Sequence, residues 1–526
     1  MAVTRRKMLT SAGAGAIALS APSIAAAQGK RELRFIPHAD VASLDPVWTT
    51  ADITRNHGNM VYDQLFGFDS SFTPHPQMLA GHTVSADGMV WELTLRDGLK
   101  FHDGEKVLAR DCVASMLRCF KRDAFGSAMM SRTDEISAVS DTVIRIRLKK
   151  PFSLVPEALA QPACVIMPER IAKTDANTQI TDPTGSGPFR FLTNERVSGS
   201  RVVYARNDAY VPRPDGKVSF LSGPRVVHFD RVVWTAQPDS ATAAAALAKG
   251  EFDWWENPPA DLTKLLKRGG DVTVETKNIM GSIGCIRFNH LNPPFDNVAI
   301  RRLVLSAVNQ KEFMEAVSGA EPSLYRTKAG IFTPGTPMAS DAGVEVLTER
   351  TDFDKIKQEL AAAGYKGERI VLKGATTIPS IHTEAQVVDD LLRKMGFNVD
   401  YQSLEWGTVV QRRASREPID KGGWNIFITN LTSLNNVFVP AQVAIRSVPF
   451  AWFGWPNTPR IEALREEWLN ATTVDEQRRI AREMQMQAWR DVPYVPLGQF
   501  FEPAAFRKDL VGIQTGWPVF HAVRRV

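Results

Sequence analysis

Residues 421–461 hold Trp424, Phe427, Phe438, Phe450, Trp452, Phe453 and Trp455 together with Asn425, Asn430, Asn435 and Asn436, and no Asp, Glu or His. The charged residues of the stretch are Lys421, Arg446 and Arg460. Aromatic faces and amides grip a solute by contact area and directed hydrogen bonds, but supply no general acid, general base or metal ligand. Nor can an amide neutralise a buried ammonium, and an unpaired buried charge is costly. Such a wall suits a neutral or anionic solute, for example a sugar-like or carboxylate compound, or a peptide with a blocked amino end. The alternative is that another segment supplies the acid.

Motifs that carry catalysis are missing elsewhere. The chain has no Gly-x-Ser-x-Gly elbow, no His-Glu-x-x-His pair, no P-loop and no EF-hand loop. Gly185 and Gly187 do not make a dinucleotide fingerprint: the third glycine is absent, and Pro188 removes an N–H that phosphate would need. The nine histidines are scattered. His382 and Glu384, close together on one segment, read as surface residues rather than ligands. No catalytic residue, metal site or cofactor is expected; an enzyme would need a constellation that the sequence does not display.

The elements around these residues read as mixed α and β. Trp91, Leu93 and Leu95 alternate with polar neighbours and lead into the turn signals Asp97-Gly98 and Asp103-Gly104. A helix is expected over 109–122, and 143–148 alternates again. Residues 225–253 read strand, helix, acidic turn, with Asp239 or Ser240 as cap and Gly250 as stop. Strand 369–373, helix 384–394 and strand 397–402 form a unit that implies a parallel pair with a right-handed crossover. Two amphipathic helices follow, 460–470 and 474–490. From Phe288 to Arg302 the chain reads as a strand end, a rigid break at Pro293-Pro294, and a helix capped by Asp296 or Asn297.

That last segment resembles the one that opens the second lobe in family 5 extracellular solute-binding proteins, the peptide-, nickel- and opine-type receptors of bacterial ABC importers. Further motifs follow in order: Leu44-Asp45-Pro46, the run from Val61 to Phe66, the run from Trp91 to Gly104, Gly185-Ser186-Gly187-Pro188-Phe189, the run from Ala246 to Asp253, and Asp491-Val492-Pro493-Tyr494-Val495-Pro496. The resemblance covers nearly all of the chain after its first residues. It implies an α/β, two-lobed periplasmic-binding-protein-like fold (type II, cluster C) with an extra domain in the first lobe. Residues 28–62, 185–276 and 494–526 would build lobe 1, with the extra domain at 63–184. Residues 277–493 would build lobe 2, with hinge crossings near 276–281 and 491–497. It also places Trp48, Trp406, Trp424, Trp452 and Trp455 in segments similar to cleft-lining ones, the alternative for each being a core tryptophan. Asn425, Asn430 or Asn435 would stand where peptide-binding members carry an aspartate for the peptide's α-ammonium. With Trp48, Trp406, Trp424 and Trp455, Asn430 and Asn435 are the expected substrate-binding set. The nickel-type histidine is also absent from this region.

Residues 1–27 read as a signal. Thr4-Arg5-Arg6-Lys7-Met8-Leu9 resembles a twin-arginine export motif, and Ala25-Ala26-Ala27 offers cleavage before Gln28. Neither a lipobox cysteine nor a spanning segment is evident, so the mature protein is expected free in the periplasm. The formal charge of +5 falls to +2 when Arg5, Arg6 and Lys7 leave, which does not call for nucleic acid. Of the four cysteines, Cys112 and Cys119 are expected as buried thiols on one helix, and a Cys164–Cys285 bridge is left open. The resulting expectation is a monomeric receptor that captures a small solute between two lobes and hands it to a membrane permease driven by an ATPase subunit. A di- or oligopeptide receptor of the same family is one alternative. A periplasmic chaperone or sensor input without transport is the other.

Overall fold

The computed structural model describes residues 31–319, 321–432, 437–449 and 451–526. The signal, its cleavage after Ala27, and Asn435, Asn436 and Phe450 lie outside the described residues.

Two sheets dominate. The first has seven strands, in the order Val272–Glu275, Ala504–Arg507, Trp254–Trp255, Glu32–Ile36, Arg231–Thr235, Arg201–Arg206 and Phe189–Phe191. Glu32–Ile36 runs parallel to both of its neighbours. Leu33 and Phe35 are fully buried, and the Phe35 ring meets Trp234, Trp254 and Phe520 at 5.5, 5.1 and 5.0 Å. The second sheet has six strands, in the order Tyr325–Arg326, Tyr494–Phe500, Ser282–Phe288, Ile426–Thr432, Arg369–Ala375 and Asn398–Leu404. Every residue of Ser282–Phe288 is buried, as expected for an inner strand covered on both faces.

The expected strand–helix–strand unit is present as Arg369–Ala375, Pro379–Lys394 and Asn398–Leu404, with its strands parallel from Arg369 opposite Asn398 to Ala375 opposite Leu404. The expected late helices are Pro459–Asn470 and Val474–Asp491. Of the two caps left open, Asn297 is the one used: its side chain accepts the Ala299 N–H at 2.9 Å and starts helix Val298–Ala307. Within 63–184 a separate antiparallel sheet, Leu79–Val84, Val90–Leu95, Val143–Leu148 and Thr133–Ala138, packs on helix Ala109–Phe120.

The chain crosses between the sheets twice. The outward crossing lies between Val272–Glu275 and Ser282–Phe288, where Gly281 has φ +63° and a Cβ would sit 2.2 Å from the Phe500 carbonyl oxygen. The return crossing differs from expectation. Tyr494–Phe500 pairs with Ser282–Phe288 in the six-stranded sheet, so the return lies at 501–503 and the boundary drawn at 494 moves past Phe500. The strand starts directly after Pro493 and runs through Pro496, with a register shift between Ile283 and Cys285, and Tyr494, Val495 and Leu497 are buried.

One question left open is answered, and one expectation is corrected. All four cysteines are buried free thiols; no Cys164–Cys285 bridge forms, and the hydrogen-bonding neighbour of Cys164 is Cys119. Glu384 is not on the surface but fully buried. It stands one turn from Ser380 and one turn from Val388, inside the stripe Ile381, Ala385, Val388 and Leu392 that helix Pro379–Lys394 turns to its sheet.

Candidate functional site

Between the two sheets lies a cavity enclosing about 940 Å³ of empty space, its open mouth included. Lobe 1 contributes its wall from the carboxyl ends of parallel strands. His38 follows Glu32–Ile36, Glu256 follows Trp254–Trp255, and Asp52 and Asn56 stand on helix Asp52–Val61. Lobe 2 contributes Ser380 and Ile381 from the start of helix Pro379–Lys394, Trp406, and Thr429 and Asn430 from strand Ile426–Thr432. Lys277 and Glu502 come from the crossings. A crevice beyond the carboxyl ends of strands is where open α/β sheets place ligands.

The lobe 1 wall is a network of charges. Glu256 Oε2 accepts from the His38 backbone N–H and meets His38 Nδ1, both at 2.8 Å, while Oε1 accepts from Asn56 Nδ2 at 3.1 Å. Burial opposes charge on His38, but Glu256 outweighs it, with help from Asp52 and Glu502, and raises the imidazole to about 9. His38 and Glu256 therefore form an ion pair at neutral pH. Asp52 is pushed upward by burial, although Arg55 Nη1 stands 3.3 Å from its Oδ1. Glu502 accepts from Asn257 Nδ2 at 3.1 Å, and burial pushes its carboxyl up to about 7. The lining thus carries three carboxylates, Asp52, Glu256 and Glu502, against His38 and Lys277. Lys277 is already paired with Glu275 at 2.6 Å. Acids that burial drives toward protonation are acids that a ligand cation would return to their charged form.

The residues expected from sequence divide. Trp406 and Asn430 line the cavity. Trp48 does not: it is half-buried on the turn held by Asp45, and its carbonyl accepts from Arg122 at 2.7 Å. Trp424 is fully buried, donates from Nε1 to the Ser415 carbonyl at 3.1 Å, and packs on Phe427. Trp455 packs on Trp424 and lies under the Arg416 guanidinium at 4.9 Å. Asn425, the other asparagine considered, braces the backbone: it accepts from Val371 N at 2.9 Å and donates to the Pro293 carbonyl at 2.8 Å.

The aromatic stretch has another use. Arg413 is buried in a box of Phe453, Trp452, Trp406 and Phe427, at 4.7, 5.4, 5.6 and 5.8 Å from the ring centres. It reaches across to lobe 1 and donates to Thr50 Oγ1 at 3.3 Å, and burial lowers its guanidinium to about 9. Arg287 lies 5.2 Å over Trp452. These rings solvate the protein's own arginines by cation–π contact. Sequence reasoning missed His38, Asp52, Asn56, Glu256, Asn257 and Glu502. The one signal available was position: His38, Glu256 and Asn257 follow strands of lobe 1, Asp52 opens a helix there, and Glu502 precedes a strand; Asn56, inside that helix, carried none. Among the described residues no group of three or more His, Cys, Asp or Glu could hold a metal ion, and no helix is long and apolar enough to cross a membrane.

Comparison with known proteins adds three findings. Residues 73–437 match the model of the bacterial extracellular solute-binding proteins, family 5. A probable peptide ABC transporter periplasmic-binding protein of Sinorhizobium fredii is 37% identical over 524 residues, which is 98% of this chain and 97% of the relative. A glutathione-binding protein of Pectobacterium atrosepticum is 25% identical over 525 residues, 97% of this chain and 95% of its own. Among solved structures, a dipeptide-binding protein from Pseudoalteromonas sp. SM9913 in complex with Met-Leu shares the fold, with a TM-score of 0.77, 20% identity, and coverage of 94% of this chain and 100% of that one.

Proposed function

Because the chain belongs to the family 5 bacterial extracellular solute-binding proteins, we propose that it is the periplasmic substrate-binding component of an ABC importer, and that its solute carries a protonated amine. Ligand enters the cavity between the seven- and six-stranded sheets. The lobes close over it by a hinge motion at the two crossings, and the closed form is passed to the permease and ATPase subunits. The observation that carries the ligand class is the set of acids around the cavity, Asp52 and Glu256 from lobe 1 and Glu502 from the return crossing. The sequence alone favoured a neutral or anionic solute because residues 421–461 contain no acid. This reading takes up the alternative left open there, that other segments supply it. A short peptide with a free amino end fits this wall and the names of the relatives. The protein acts by binding and release, as its relatives do, not by catalysis.

The test is calorimetry with the dipeptide Met-Leu and its N-acetyl form, joined to solution scattering. The expected result is binding near ~1 µM for the free amine, at least about tenfold weaker for the acetylated form, and a smaller radius of gyration with the free dipeptide. Equal binding of the two forms would remove the amine from the reading. Tight binding without compaction would remove the closure.

A further inference from the structure

Asn430 touches the cavity, and the residues behind it decide what it offers there. With its amide nitrogen on Ser380 Oγ at 3.0 Å, its oxygen faces only acceptors; turned over, the nitrogen donates to Glu384 Oε2 at 2.9 Å and to the Thr429 carbonyl at 3.3 Å, and the oxygen accepts from Ser380 Oγ at 3.0 Å, which is the orientation we assign. The opposite orientation would set the amide oxygen against the Thr429 carbonyl, which can only accept. With both N–H groups engaged, the remaining lone pair of Oδ1 is what Asn430 has left to present.

Glu384 is buried one layer behind the wall and has no contact with the cavity. Its Oε1 has no hydrogen-bond partner. The room it occupies exists because residue 284 is glycine: a Cβ there would lie 2.1 Å from Oε1. Burying an acid with one unpartnered oxygen costs stability. The core stripe of the helix would accept an apolar residue at this place, so stability does not explain the glutamate.

We propose that Glu384 is a positioning residue for ligand selection: it touches no ligand, but by accepting from the Asn430 amide nitrogen it turns the amide oxygen to the cavity and makes the lobe 2 wall an acceptor for a donor-bearing solute. The inference rests on the reading that this cavity binds a protonated amine. It adds that both walls recognise the same group, with carboxylates on lobe 1 and an oriented amide oxygen on lobe 2. A ligand ammonium then bridges the lobes, and closure and selection become one event.

The experiment has two readouts. In protein labelled with ¹⁵N-asparagine, the Asn430 side-chain amide signal, identified by its loss in Asn430→Asp, reports the orientation without any ligand. Calorimetry with Met-Leu and N-acetyl-Met-Leu reports selection. Glu384→Met is expected to shift the amide signal and to reduce the preference for the free amine from about tenfold to about threefold or less, the size of one hydrogen bond lost. Should that variant not fold, Glu384→Ala, which removes the acceptor without overfilling the site, is read in the same way. An unmoved amide signal overturns the positioning role. A moved signal with an unchanged preference overturns the role in selection. If the wild type does not distinguish the two peptides at all, the ligand-class reading fails, and the amide signal alone decides whether Glu384 orients Asn430.

Discussion

The lobe 1 wall and the aromatic stretch of lobe 2 are built from opposite materials, and each does what the other looked suited to do. The stretch 421–461 is rich in flat faces, yet Trp452, Phe453 and Phe427 surround Arg413, and Trp424 is sealed in the core. The lobe 1 wall has no local concentration of anything in sequence, since His38 and Asp52, Glu256, and Glu502 come from three distant parts of the chain. The fold alone brings these groups together and pairs them, His38 with Glu256 and Asp52 with Arg55. A cluster along the chain reports what that segment needs in order to fold. A site reports itself by buried charges that distant segments bring together.

The largest effect that separates the two regions should come from Glu256→Ala. It leaves His38 buried without the partner that keeps it charged, and the loss of the pair and its hydrogen bonds should cost about 2–3 kcal/mol. Urea unfolding should show that loss, and Met-Leu binding should disappear with it. A mild effect on both would mean that the wall is more open to water than its hydrogen bonds indicate. Next, Trp424→Ala should cost about 3 kcal/mol of stability as a core truncation yet leave the affinity of the folded protein unchanged. Trp406→Ala should do the reverse, with a smaller stability loss and about tenfold weaker binding. If Trp424→Ala weakens binding as much as Trp406→Ala, the division of the tryptophans between core and cavity is wrong.

A smaller effect concerns pH. Glu502 is raised from 4.5 to about 7 by burial. The folded form holds its proton more tightly than the unfolded form, so its contribution to stability is fully present below pH 4.5 and is lost as pH rises through about 7. The ligand-free melting temperature of Glu502→Gln should therefore fall less than that of the wild type across this interval. Binding of an amine near pH 6 should also release protons, seen as a dependence of the calorimetric heat on the buffer's ionisation enthalpy. Proton uptake instead would point to an anionic ligand. The smallest effect is expected from Trp48→Phe, which should leave Met-Leu affinity within about twofold of wild type, because Trp48 does not line the cavity.

Much of the fold was legible because local patterns survive folding. The helix capped by Asn297, the parallel unit at 369–404 and both late helices stand close to where periodicity put them. Strand Tyr494–Phe500 fell outside lobe 2 because the boundary at 494 was taken from resemblance, and only its long-range partner Ser282–Phe288 shows otherwise. At the site, Trp406 and Asn430 could be anticipated from resemblance, whereas Asp52, Glu256 and Glu502 could not. They meet across sequence separations of about two hundred residues or more, and nothing local marks them. Glu384 was misread because one polar residue in an apolar stripe looks like the edge of that stripe.

Strand Ala504–Arg507 sits between Trp254–Trp255 and Val272–Glu275 in the middle of one half of its sheet. A growing polypeptide thus finishes lobe 2 before it can finish lobe 1. For more than two hundred residues of synthesis the emerging chain carries two unpaired strand edges, waiting for a segment near its very end. Unpaired edges recruit wrong partners, and pairings this remote in sequence are slow to form. The nascent protein therefore needs shelter until this strand arrives. A ribosome that stops shortly before residue 504 would release a product with an intact second lobe and an open-edged first one, an aggregation seed rather than a weakened receptor.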